Sequence, residues 1–320
     1  MRTIRGGDKD GFVPSLAVLV GVTLAIVGIG VLIFFIHHIA GLIQASSIIA
    51  SVANETMMAV DRIFPQKLGE GQVDNEEDLA APTSPELCWQ GVPAHKNGYI
   101  QSVDSTVLLN LAREYGTLVR MERGIGDFVV KDTPLVSLAL DEPPNEKIVN
   151  ALQAAYNIDR YRTVHQDCVF GSRQIVDIAL RALSSGTNDT PTAAISVDYL
   201  TAILSRLAPR TIPSSLRYKD GNLRVIAIGP RFAGLVAESF DQIRGSATGN
   251  LGIMMRMLGG LQTIASLTAN PTRRQSLHDQ IRWIAELTER TIESPHDRTR
   301  FESRLAHERE ALEAKPAQLH

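Results

Sequence analysis

The sequence predicts a membrane-anchored α+β chain. An N-terminal transmembrane helix continues into an amphipathic helix, a small β-rich module follows, and a mostly α-helical C-terminal domain completes the chain. Three observations predict this. Residues 12–36 carry no charged side chain, and Glu55 is the only one from 11 to 60. Past His37 the apolar residues fall into helical spacing. Short alternating runs between Gly, Asp and Pro turns fill residues 94–141, and helical periods dominate from 145 onward.

Length and composition bound what this chain can be. The chain has 320 residues, enough for an anchor and one or two domains. A net charge of -3 gives no basic footprint for nucleic acid. The two cysteines, Cys88 and Cys168, show no metal-ligand spacing. They are read as unrelated thiols, with a single disulfide as the alternative. No cofactor and no metal are predicted.

The apolar run of residues 12–36 is too long for a signal-peptide core of ~7–15 residues. As a helix it extends ~37 Å at ~1.5 Å per residue, so it crosses a ~30 Å hydrocarbon core with some tilt. Pro14 falls in the first turn, where its missing N–H costs little. Ala17, Gly21 and Ala25 recur every four residues, a stripe that lets a second membrane helix approach closely.

From His37 to Arg62 one face is apolar. The other carries His37, His38, Gln44, Ser51 and Glu55, the candidate pore-lining or interface residues of an oligomer. The two histidines are read mainly as interface anchors. Neighbours on a helix point about 100° apart, which is poor geometry for one metal. Pro65 ends the helix, closing a first segment of residues 1–64.

Residues 65–93 are read as an acidic linker, with Glu70, Asp74, Glu76, Glu77, Asp78 and Glu86 against Lys67. The β-rich module, 94–141, opens with a strand at 99–103. A short helix to Tyr115 is capped by Asp104 or Ser105. A strand follows at 117–122. Residues 126–130 and 134–138 then form a hairpin across a Lys131-Asp132 turn.

The helical domain, 142–294, has expected helices at 145–156, 167–183, 191–207, 232–244, 251–269 and 272–293. A hairpin at 216–228 turns over Lys219-Asp220-Gly221-Asn222. A charged helix at 297–314 belongs to a last segment, 295–320, which projects or meets another chain.

The most distinctive stretch is RTVHQDCVFGSRQIVDIALRALSSGTNDTPTAAISVDYL, residues 162–200. Arg173, Asp177 and Arg181 stand at four-residue steps in one charged stripe, with Gln174 beside it. In the loop after it, Thr190 can cap a helix with Pro191 at its first position. Asp167, Arg173, Gln174, Asp177, Arg181, Asn188 and Asp189 are the candidate polar cluster. It is either a ligand pocket or a salt-bridge and cap network holding a helical hairpin, and base rates favour the network. Cys168 opens an apolar helix and is expected to pack inward, three residues from His165. No nucleophile elbow, phosphate loop, HExxH or EF-hand is present, so an enzyme is the weaker reading.

This stretch resembles the bacterial predicted membrane protein family called domain of unknown function 2254. FFIHHIAGLIQASSIIASVANET is similar to that family's final membrane span and exit helix, and FDQIRGSA to a later helix. The resemblance runs from about Phe12 to Leu267. It implies membrane residence and further spans before residue 12, and it implies no activity. The family's loop reads Asn-Asp-Pro, whereas here Thr190 separates Asp189 from Pro191. Separately, GYIQSVD…VRMERGIGDFVVKDTPLVSL resembles the barrel-sandwich modules of biotinyl, lipoyl and membrane-adaptor proteins. Lys131 lacks the flanks of a lipoyl acceptor. By analogy of element order alone, the chain is also similar to small-conductance mechanosensitive channels.

The expected partners are the lipid bilayer and further copies of this chain. Arg2, Arg5 and Lys9 place the N-terminus inside if there is one span. The upstream spans that the resemblance implies would return the domain to the inside. The reading adopted is a bacterial inner-membrane protein with a cytoplasmic domain. It is a non-enzymatic oligomeric channel, transport component or regulator, with a membrane-anchored sensor or enzyme using the Asp167–Asp189 residues as the alternative.

Overall fold

Helix α1 (Ser15–Leu42) forms on a run of Leu, Val, Ile and Gly in which, across residues 16–36, Thr23 alone brings a polar side chain, and its hydroxyl donates back to Leu19 O at 2.8 Å within the helix. The computed structural model describes residues 15–42, 45–64 and 87–313. It divides into two units between Ile48 and Ile49. In the first, every described side chain of α1 from Leu16 to Ile36 is exposed, including Ala17, Gly21 and Ala25. The side chains of His37, His38 and Gln44 lie outside the described residues, as do most of the expected acidic linker and the Asp10–Pro14 approach to the span.

The second unit begins within α2 (Ala45–Ile63). Its Ile49, Ala53, Thr56, Ala59 and Val60 are buried, while Ser51, Asn54 and Glu55 are exposed. This is the predicted amphipathy: the apolar side packs into the helical core. α2 crosses α5 (Cys168–Leu183) at Gly171, where a Cβ would run into the Thr56 side chain.

Two small sheets follow. The larger has the order β1-β5-β3-β8-β7 and the smaller β4-β2-β6. Their strands are β1 (Trp89–Pro93), β2 (Gly98–Val103), β3 (Val119–Met121), β4 (Phe128–Val129), β5 (Pro134–Ala139), β6 (Tyr156–Asp159), β7 (Leu216–Lys219) and β8 (Asn222–Ile226). All pairings are antiparallel except β3 with β8. The sheets share an apolar cluster with α3 (Ser105–Glu114) and α4 (Glu146–Ala154). Asp104 caps α3, accepting from the amides of Thr106 and Val107 at 3.0 and 3.1 Å.

Three expectations are corrected here. The 126–130 and 134–138 runs do not pair as a hairpin. β4 joins β2, and β5 lies between β1 and β3. The Val130–Thr133 turn does close, with Thr133 N–H donating to Val130 O at 3.1 Å, but its two arms enter different sheets. β5 finds its partner in Trp89–Pro93, inside the stretch read as linker. That strand carries Gly91 and Pro93, residues that ordinarily signal a break. The helix expected at 145–156 stops at Ala154, and Tyr156 starts β6, buried against β2. The β7–β8 hairpin is as expected: Asp220 and Gly221 take φ of 53° and 74°, the two-residue turn that suits strand twist.

The helical part packs α5, α6 (Thr190–Leu207), α7 (Phe232–Ser246), α8 (Leu251–Ser266) and α9 (Pro271–Thr291) around one core, which Phe301 of α10 (Pro295–Glu313) also enters. Asn250 and Asn270 cap α8 and α9. Ten α-helices are present among the described residues.

Candidate functional site

The residues of the candidate polar cluster are distributed along α5. Asp167 caps its N-terminus: one oxygen accepts from Phe170 N–H at 2.9 Å, and the other takes Arg162 Nη2 and Nε at 2.7 and 3.0 Å. Asp167 is 4% exposed, and the forked pair gives its buried carboxyl a partner on one oxygen while the helix amide takes the other. Gly126, at φ 89°, passes so close that a Cβ there would meet both partners.

Asp189 lies past the other end of α5. The 16 residues of the helix separate it from Asp167 by ~24 Å, so the two carboxylates do not share a site. Asp189, not Thr190, is the N-cap of α6. It accepts from Thr192 Oγ1 at 2.6 Å and Thr192 N–H at 3.1 Å. Those bonds, the hydroxyl's first, hold its carboxyl below the usual range. Asn188 supplies the left-handed turn before it, at φ 46°. Between the two ends, Arg173 pairs with Asp177 at 2.8 Å and with Glu238 of α7 at 3.3 Å. Arg181 is exposed and Gln174 half-buried. The stripe is thus a helix-to-helix tie.

Cys168 and Cys88 are not bonded; the first is buried, the second exposed. Burial, and next the charge of Asp167, push the Cys168 thiol up to about 12. That is the opposite of an activated nucleophile. No group of three His, Cys, Asp or Glu with metal-binding geometry occurs among the described residues.

A second network has no local signal in the sequence. Asp61 of α2 receives Arg206 Nε and Nη2 at 2.6 and 2.5 Å and Arg210 Nη2 at 2.6 Å. The Arg206 bond holds the Asp61 carboxyl below its ordinary value against partial desolvation, with the Arg210 charge adding to the effect. Arg210 also donates to Phe64 O at 2.5 Å. Arg273, 2% exposed, donates to Ala208 O at 2.9 Å and Arg210 O at 2.6 Å, capping the end of α6. Its guanidinium stands 5.5 Å from the Phe232 ring centroid. These arginines gather where the α6 dipole is negative.

Next to this network is a cavity of about 640 Å³, between the β-sheet cluster and the helical core. Its walls are the end of α2, α3, the 124–127 loop, the start of α5 and the β7–β8 hairpin. Leu108, Leu109, Ile125, Ile212 and Val225 make it largely apolar. Arg62, Arg217, Asp127 and Asp167 are the charged residues on its wall. Ile228 lines it and is 46% exposed, marking an open edge.

An exposed apolar first helix, long enough to cross a membrane, ahead of an α+β body defines a membrane-protein class by make-up. The chain belongs to the family described as predicted membrane protein, domain of unknown function 2254, whose profile matches residues 1–263. It is 31% identical over 317 residues to an uncharacterised protein of Mycobacterium bovis and to one of Mycobacterium tuberculosis. Each alignment covers 96% of this chain and 60% of the relative, so the chain spans under two thirds of those proteins. No solved structure matches it.

Proposed function

We propose that this chain is the membrane-anchored subunit of a non-enzymatic homo-oligomer in the bacterial inner membrane. It acts as a channel, transport component or regulator, with its body on the cytoplasmic side. The observation that carries this reading is Leu16–Ile36, a 21-residue, predominantly apolar stretch with none of its residues buried. It measures ~32 Å as a helix, against a ~30 Å hydrocarbon core. The Ala17, Gly21 and Ala25 stripe supports helix pairing in lipid. The exposed Ser51, Asn54 and Glu55 face of α2 supports a polar lining or an interface between copies. The two sheets, sharing one apolar cluster, support a barrel-sandwich-like module as a stiff spacer in the chain.

Carbonate extraction tests the anchor: the chain is expected in the pellet, and its full recovery in the soluble fraction overturns the reading. Mass measurement in mild detergent tests the assembly. Wild type is expected above monomer mass, and Gly21→Leu is expected to lower it by filling the gap through which the helices approach. A wild-type monomer removes the channel. Single-channel recording of the reconstituted oligomer separates a conducting assembly from a regulator.

A further inference from the structure

Arg217 is the unusual group in the wall of the 640 Å³ cavity. It sits on β7, opposite Val225 in the hairpin register. Among the described residues its guanidinium makes no ion pair and no side-chain hydrogen bond, although it is only partly exposed. The other arginine on the cavity wall, and the one behind Asp167, are engaged. Arg62 donates to His165 O at 2.9 Å, and Arg162 is forked onto Asp167. Burial weakens the hold of Arg217 on its proton, yet a guanidinium stays charged in a protein. A charge withdrawn from water without a counter-ion is costly, and a bound anion removes that cost.

The rest of the wall narrows the anion. The cavity lies within the ~300–1,000 Å³ range of sites that hold small organic ligands. Leu108, Leu109, Ile125, Ile212 and Val225 suit an aliphatic body. Two carboxylates share the wall. Asp167 is neutralised by Arg162, and Asp127 accepts from Gly124 N–H at 2.8 Å with no cation of its own among the described residues. One free guanidinium on a wall that also carries one carboxylate with no cation of its own suits a singly charged head group over a doubly charged phosphate. From this we infer that the cavity is a binding site for an aliphatic monocarboxylate, its carboxylate paired with Arg217 and its chain lying among the apolar residues between α3 and the hairpin. This site is independent of the oligomer proposed above and stands or falls separately from it.

The probe is radiolabelled octanoate, bound to the full chain in a maltoside detergent and read by scintillation proximity. Unlabelled octanoate is expected to displace it, octanol only weakly, and octylamine not at all. Arg217→Gln is expected to weaken octanoate by about tenfold or more, the scale of a lost charged hydrogen bond, while leaving octanol unchanged. Leu109→Trp fills the cavity and is expected to abolish displacement by both. Equal displacement by the three ligands in wild type overturns the assignment without any variant. So does a wild type that binds no octanoate, or a preference for the carboxylate that survives Arg217→Gln.

Discussion

Arg173 and Arg273 stand in the same helical core and are built into it differently. Arg173 has a third of its side chain in solvent and pairs with a neighbour one turn along and with Glu238 of α7. Arg273 is almost wholly buried and is held by backbone carbonyls at the end of α6. The first exchanges water for another exposed charge and gains little. The second satisfies carbonyls that a helix end leaves without partners, in a place water does not reach. Position along the burial gradient, not the presence of an ion pair, decides what an arginine contributes.

Arg273→Met should break this comparison most visibly. It leaves Ala208 O and Arg210 O short of a donor, and a loss on the order of 3 kcal/mol is expected in denaturant unfolding of the full chain. If the loss matches that of Arg173→Ala, the contrast fails.

Asp61→Asn comes next. It takes the counter-charge from Arg210, which is 6% exposed, but Asp61 itself is 36% exposed, so about 1–2 kcal/mol is expected. Acid should have a matching effect. The Asp61 carboxyl is held below its unfolded value of ~3.9, so its contribution is complete above that value. That contribution drains away as pH falls through the lower, folded value. Wild type is expected to lose melting temperature more steeply below about pH 4 than Asp61→Asn. Parallel curves would show that the clamp does not hold a charged carboxylate.

Arg173→Ala is expected to cost only ~0.2–1 kcal/mol, and Arg181→Ala less still. A loss above 3 kcal/mol from Arg173→Ala would mean that the α5–α7 tie is dry. The thiols report the same gradient without any stability change. At pH 8 iodoacetamide should modify exposed Cys88 and spare Cys168, whose thiol is pushed up to about 12. Mass spectrometry of the native chain decides this.

What could be read from residues alone was local. The Asp220-Gly221 turn, the Asp104 cap and the helical period of α5 each lie within a few residues of their own cause. The α6 cap was displaced by one position, because Asp189 and Thr190 are both good caps and only the fold chooses. Contacts of long range left no such mark. Asp61 and Arg206 are 145 residues apart, and nothing near either names the other. β1 looked like linker because its pairing with β5 is a property of two segments. The cavity, and Arg217 on its wall, exist only once α2, α3, α5 and the hairpin are assembled.

The parallel pairing of β3 with β8 has a consequence for synthesis. β3 ends at Met121, and its neighbour begins only at Asn222. At ~5–20 residues per second, the ribosome needs roughly 5–20 s to deliver that strand. Until then the β3 edge shows unpaired amides and carbonyls to whatever nascent chain lies closest. A polysome making this protein beside a membrane crowds such edges together, so translation speed across residues 122–221 sets how long each one stays open.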